Sequence, residues 1–123
     1  MKKNVIGLAA LLATTTATLA SAEPLKVGAA VYGLRAEFAQ IMVEAMQSHP
    51  AVTSGEVALT VFDGRYDALV QQEQFEVMIT QGFDAILFFP IDVEAGAAAV
   101  ASAHEAGIPV VGANARVNSD QLT

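Results

Sequence analysis

The stretch FDAILFFPIDVEAG, residues 83–96, decides how this chain is read. An apolar run meets Pro90, and two acids, Asp92 and Glu94, follow in quick succession. Residues 84–89 are rich in aromatic and branched side chains and too few for a helix, so they read as a strand. Pro90 has no N–H to give to a ladder and stops it. Behind it comes VEAGAAAVASAHEAG, an alanine-rich helical run closed by Gly107, and then IPVVGAN, residues 108–114, a further strand. A helix made mostly of alanine can lie very close to a sheet.

The same alternation runs upstream. LKVGAAVY, residues 25–32, is a short apolar strand with Gly33 behind it. RAEFAQIMVEAMQSH follows, with Phe38, Ile41, Met42, Ala45 and Met46 spaced to form one helix face. Pro50 and Gly55 break the chain, and VALTVF, residues 57–62, is a second strand ended by Asp63-Gly64. YDALVQQEQFEVMITQG is a helix with Gly82 as its stop. The strands lack polar alternation, so both faces are expected to be covered. The expected fold is therefore α/β: a Rossmann-like parallel sheet with helices on both faces and right-handed crossovers. An all-helical protein is excluded by the strand-like runs at 57–62 and 84–89.

The chain opens MKKNVIGLAALLATTTATLASAEPLKV. A basic head, an apolar stretch and the small residues Ala20-Ser21-Ala22 form the pattern of a secretory signal, cleaved between Ala22 and Glu23. The apolar part is too short and too diluted by threonine to anchor the chain, because ~30 Å of hydrocarbon needs about 20 apolar residues. With no cysteine in the chain, the expected compartment is a bacterial periplasm and the fold must rest on its core alone. Residues 23–123 suffice for one modest domain. Removing Lys2 and Lys3 leaves Lys26, Arg35, Arg65 and Arg116 against thirteen acids, a net charge of −9. That balance disfavours nucleic acid and anionic membrane surfaces as partners.

In open parallel sheets, ligands gather outside the carboxyl ends of the strands. Here those ends carry Tyr32, Arg35, Glu37 and Phe38; then Asp63, Gly64 and Arg65; then Phe89, Pro90 and Asp92; and finally Asn114 and Arg116. Carboxylates, amides and guanidinium groups can grip hydroxyls in pairs, and aromatic faces can cover the apolar side of a sugar ring. Plainer roles stand beside these. Asp63 can simply close an Asp-Gly turn, Asp92 can cap the helix that follows, and Phe38 and Phe89 can be core. Other chemistry finds no support. Without cysteine there is no thiolate, His49 and His104 stand alone as surface residues, and no zinc spacing, phosphate loop or Ser–His–Asp set can be assembled. No cofactor, metal or catalytic residue is expected.

KVGAAVYGLRAEFAQIMVEAM, VFDGRYDALVQQEQFEVMITQGFDAILFFPID and AAAVASAHEAGIPVVGANARVN, in that order behind an export signal, resemble the periplasmic sugar-binding proteins of the ribose-binding type, the solute receptors of ABC importers. The resemblance covers residues 25–118 and is most specific at QGFDAILFFPID and GIPVV. It implies a type I periplasmic binding fold, a sugar or polyol ligand and permease subunits as partners. It also implies ligand contacts at Tyr32, Arg35, Glu37, Phe38, Phe89, Asp92, Asn114 and Arg116. Two departures stand out. Phe89 sits where the family commonly places a polar residue before the proline, and Asn114-Ala115-Arg116 replaces a frequent Asp-Arg, which weighs against ribose itself. Family members have two similar lobes, so residues 23–123 are expected to be part of the N-terminal lobe of a longer receptor.

Two other functions share parts of this pattern. A sugar-sensing transcription regulator of the lac-repressor type has the same core but needs a helix-turn-helix where this chain has its apolar start. A small exported α/β enzyme needs a nucleophile or metal set. The export reading predicts that protein recovered from the producing bacterium begins at Glu23; intact protein starting at Met1 in the cytoplasm, read by mass spectrometry, would favour the regulator.

Overall fold

The computed structural model describes residues 22–123, so the export signal expected over 1–22 lies, apart from Ala22, outside the described residues. Four strands alternate with helices: β1 (Leu25–Val31), α1 (Glu37–Gln47), α2 (Pro50–Thr53), β2 (Val57–Asp63), α3 (Ala68–Thr80), β3 (Ala85–Phe88), α4 (Val93–Glu105) and β4 (Val110–Gly112). Every strand pair is parallel, and the order across the sheet is β2-β1-β3-β4. The expected α/β architecture is thus the observed one.

Small residues make the centre of the sheet. Ala29 and Ala30 of β1 are fully buried, and a Cβ on Gly28 would run into Met78 and Phe83. That lack of bulk lets helices approach from both sides. On one face α3 and α4 pack with Phe75, Met78, Ile86, Phe88, Val100 and Val110, and the rings of Phe75 and Phe88 meet edge to face at 4.8 Å. The alanine-rich α4 comes close enough that a Cβ on Gly96 would lie 2.7 Å from Val117 and 2.9 Å from Phe88. On the other face a smaller cluster gathers Ala29, Val31, Ala39 and Phe89, with Met42, Val43 and Met46 of α1 against it. An apolar recess of about 420 Å³ remains between α1, α2 and the sheet, lined by Met42, Met46, Val57, Leu59 and Leu87 among others.

Helix ends follow local chemistry. Asp67 caps α3 by accepting from the N–H groups of Leu69 and Val70, and Asp92 caps α4 through Glu94 and Ala95. Past α3 and α4, Gly82 and Gly107 take φ of 65° and 75°, the left-handed conformation that ends a helix without a Cβ penalty.

Three expectations are corrected in detail. The buried side of α1 is Ala39, with Met42, Val43 and Met46 half-buried beside it, whereas Phe38 and Ile41 are 50% and 58% exposed. Two apolar stripes overlap in this helix, and the one that starts with the small Ala39 seats closer to β1. Pro50 does more than break the chain. It opens the single turn α2, whose first N–H groups are met in part by Nδ1 of His49, the acceptor from Ala51 N. The strands at 84–89 and 108–114 are shorter than expected, because Asp84 turns its carboxylate to the N–H of Lys26, Pro109 donates nothing, and the N–H of Ile108 closes α4 on Ala103 O.

The close approach of α4 generates a test. Gly96→Val should destabilise the fold by about 1–3 kcal/mol, seen as a lower urea midpoint at unchanged slope. An unchanged midpoint would mean that α4 does not seat against Phe88 and Val117.

Candidate functional site

All strands point the same way, so the loops that leave their carboxyl ends line one edge of the sheet. Across that edge they run in the order 63–67, 32–36, 89–92 and 113–116, following the strand order. At about 4.8 Å per strand, the rim spans roughly 14 Å. The chain reverses its direction of winding between β1 and β3, the switch point where open α/β sheets hold their ligands.

The loop after β2 is tied to the loop after β1 by its backbone. Gly64 N donates to Val31 O at 2.7 Å and Tyr66 N to Tyr32 O at 2.8 Å. Asp63 adds a side-chain tie, its Oδ1 accepting from the N–H groups of Leu34 at 3.1 Å and Arg65 at 3.0 Å. Asp63 therefore organises the two loops, a role wider than the turn closure that the Asp-Gly pair suggests. Within this loop Arg65 and Tyr66 take φ of 53° and 61°, and Asp67 N closes on Gly64 O at 2.9 Å. Two positive φ angles in succession describe a turn that normally demands Gly or Asn. Side chains held there cost of order 1–3 kcal/mol each, strain that concentrates at ligand clamps.

The result is a small cavity of about 170 Å³ lined by Arg35, Asp63, Arg65 and Tyr66. The Tyr66 ring lies over Gly33, where any Cβ would strike it, and its centroid is 5.9 Å from that of Tyr32. Tyr66 as a lining residue was missed from the sequence, which named Arg65 at this strand end; the Gly33 that makes room for the ring was the available signal.

The remaining sequence-derived candidates fall as follows. Tyr32 is partly buried beside Tyr66, and Arg35 is exposed in the cavity wall. Glu37 and Phe38 open α1 and are exposed. Phe89 requires a correction: its side chain is 3% exposed and packs with Ala29, Val31 and Ala39, so the ring belongs to the core and offers no stacking face at the rim. Asp92 spends Oδ1 on two N–H groups of α4, at 2.9 and 2.8 Å. Asn114 is exposed with φ of 67°, a third left-handed residue at this edge. Arg116 is exposed too, and shares a separate recess with Gly112, Asn114 and Leu122. The structure thus brings Tyr32 and Arg35 each beside Tyr66, while Asn114 and Arg116 lie two strands away, about 10 Å along the rim.

All three arginines beyond residue 22 lie at this one edge, after β1, β2 and β4. Among the described residues no group of three or more His, Asp or Glu side chains could hold a metal ion, and no helix is long and apolar enough to cross a membrane.

Comparison with known proteins gives the lineage. A family model described as a periplasmic binding protein domain matches residues 27–123. A Rhizobium meliloti protein provisionally named as rhizopine-binding is 35% identical over 99% of this chain and 38% of its own length. The xylitol-binding protein of Mycolicibacterium smegmatis is 29% identical over 97% of this chain and 33% of its own. An ABC transporter solute binding protein of Bacillus halodurans, solved with bound myo-inositol, superposes with a TM-score of 0.73 at 27% identity, over 82% of this chain and 35% of that one. The chain therefore spans about a third of the length of these relatives. By its match over residues 27–123, the parallel order of its strands and these likenesses, the chain belongs to the periplasmic binding protein domain family.

Proposed function

We propose that this chain is part of the N-terminal lobe of a substrate-binding protein of an ABC importer, which captures a sugar or related polyol in the periplasm and delivers it to the permease without chemical turnover. The observation that carries the reading is the gathering of Tyr32, Arg35, Tyr66, Asp92, Asn114 and Arg116 on one edge of a parallel sheet, three of its loop residues in left-handed backbone. Residues 1–22 act as the export signal in this reading, and residues 23–123 form one wall of the cleft.

The chemistry suits a neutral, polyhydroxylated ligand. Guanidinium groups present paired N–H donors to neighbouring hydroxyls. Asp92 Oδ2 and the Asn114 carboxamide supply acceptors. The Tyr32 and Tyr66 rings offer apolar faces to C–H groups. Glu37 and Phe38 stand at the outer rim. The three arginines stand at this edge beside Glu37, Asp63, Asp67 and Asp92, so it carries charges of both signs. The relatives named for xylitol and solved with myo-inositol support this ligand class. One wall cannot enclose a ligand, so tight binding needs a second lobe that closes over it.

Calorimetry on the complete gene product, with xylitol, myo-inositol and a panel of hexoses and pentoses, tests the reading. At least one should bind, and Arg35→Ala or Arg116→Ala should weaken it about 10- to 100-fold, the loss of a charge-assisted hydrogen bond or two. Binding by no neutral polyol, or full affinity in both variants, would refute it.

A further inference from the structure

One buried polar side chain lies directly beneath the rim. Gln71, on the first turn of α3, is 2% exposed. A buried carboxamide is unfavourable unless its donors and acceptor are matched, and here they are. Nε2 donates to Phe89 O at 2.9 Å and to Ala30 O at 3.4 Å, and Oε1 accepts from Ile91 N at 3.0 Å.

The partners explain the placement. Phe89 N makes the last ladder bond of β3, to Ala30 O at 2.9 Å. Pro90 then has no N–H, so the sheet cannot continue through it. The Phe89 carbonyl and the Ile91 N–H on either side of Pro90 are left to find other partners, and one carboxamide meets both. Room for it comes from Gly64, where a Cβ would lie 2.8 Å from Gln71 Cγ and 2.7 Å from Val31 O. The end of β1, the loop after β2 and the loop after β3 therefore meet at a single side chain.

We propose that Gln71 is a positioning residue of the cleft: its carboxamide brackets Pro90 and sets the loop 89–92 against the end of β1, without touching ligand. The proposal rests on the reading that this edge binds a polyol. Few relatives of the side chain can substitute. Leucine has neither donor nor acceptor, asparagine is one methylene short, and ionised glutamate has no donor for the two carbonyls. Protonated glutamate regains one donor while keeping an acceptor, so its proton can stand in for the amide.

The test uses the complete gene product and two variants, Gln71→Leu and Gln71→Glu, with xylitol and myo-inositol as probes, at a temperature where thermal melts show each variant folded. Amide exchange of Ile91 is followed by NMR alongside affinity. In the parent protein Ile91 should be protected. In Gln71→Leu its exchange should rise and affinity should fall, each about 10- to 100-fold, the size expected when a buried donor loses its acceptor. Burial raises the carboxyl pKa in Gln71→Glu. That variant should therefore be impaired at least as much as Gln71→Leu above its raised pKa and recover toward the parent as pH falls below it, while Gln71→Leu, normalised to the parent, stays flat. A merely space-filling role would show no such recovery.

Parent-like affinity in Gln71→Leu, or an unprotected Ile91 in the parent, would overturn the proposal, as would identical pH profiles for the two variants. If the parent binds neither probe, the polyol reading fails at that step and the cleft role falls with it, while the exchange and pH measurements still decide whether Gln71 brackets the loop.

Discussion

Parallel strands cannot be joined by a tight hairpin; each must return through a crossover that starts beyond one end of the sheet and re-enters at the other. That constraint arranges everything else in this chain. Four strands running one way place four exits on one edge, and the order β2-β1-β3-β4 opens the crevice between the exits of β1 and β3. The proposed function follows from what the chain puts at those exits. Helices only need to cover the faces, which they do with alanines, valines, methionines and Phe75, while the three non-glycine residues with left-handed backbone all lie at the edge.

The edge is held together more firmly than loops usually are. Backbone bonds join 31–32 to 64–66, and Asp63 and Gln71 add side-chain ties. Such ties hold Arg65 and Tyr66 in conformations that neither would choose in isolation. A binding surface of the proposed kind would benefit from this, because binding then orders little that is not already ordered. The rim is preformed on this side of the sheet.

Much of this was legible in the residues. Short apolar runs between helical runs specified the parallel sheet, and the resemblance to periplasmic sugar receptors agreed with the family match. The misses have physical causes. In α1, two apolar stripes share Met42 and Met46, and periodicity cannot say whether Phe38 or Ala39 faces the sheet; close packing selected the smaller residue. Phe89 sits at a strand end, where its position suggested a ligand face, yet alternation along the strand turned it toward Ala39. Tyr66 depended on a left-handed turn that a Tyr does not advertise. Gln71 stands in the run QQEQ, and nothing local distinguishes it from Gln72 or Gln74; only the three-dimensional meeting of Ala30, Gly64, Phe89 and Ile91 does.

In the proposed reading, a polyol ligand sits at the carboxyl edge of the sheet and nowhere else on residues 23–123. Chemical-shift mapping of the isotopically labelled complete gene product, titrated with its polyol, addresses it most directly. Within residues 23–123, the largest shifts should fall in 32–38, 63–67, 89–92 and 113–116. Shifts confined instead to the apolar recess at Met42, Met46 and Leu59, or spread without pattern over the helices, would contradict the account.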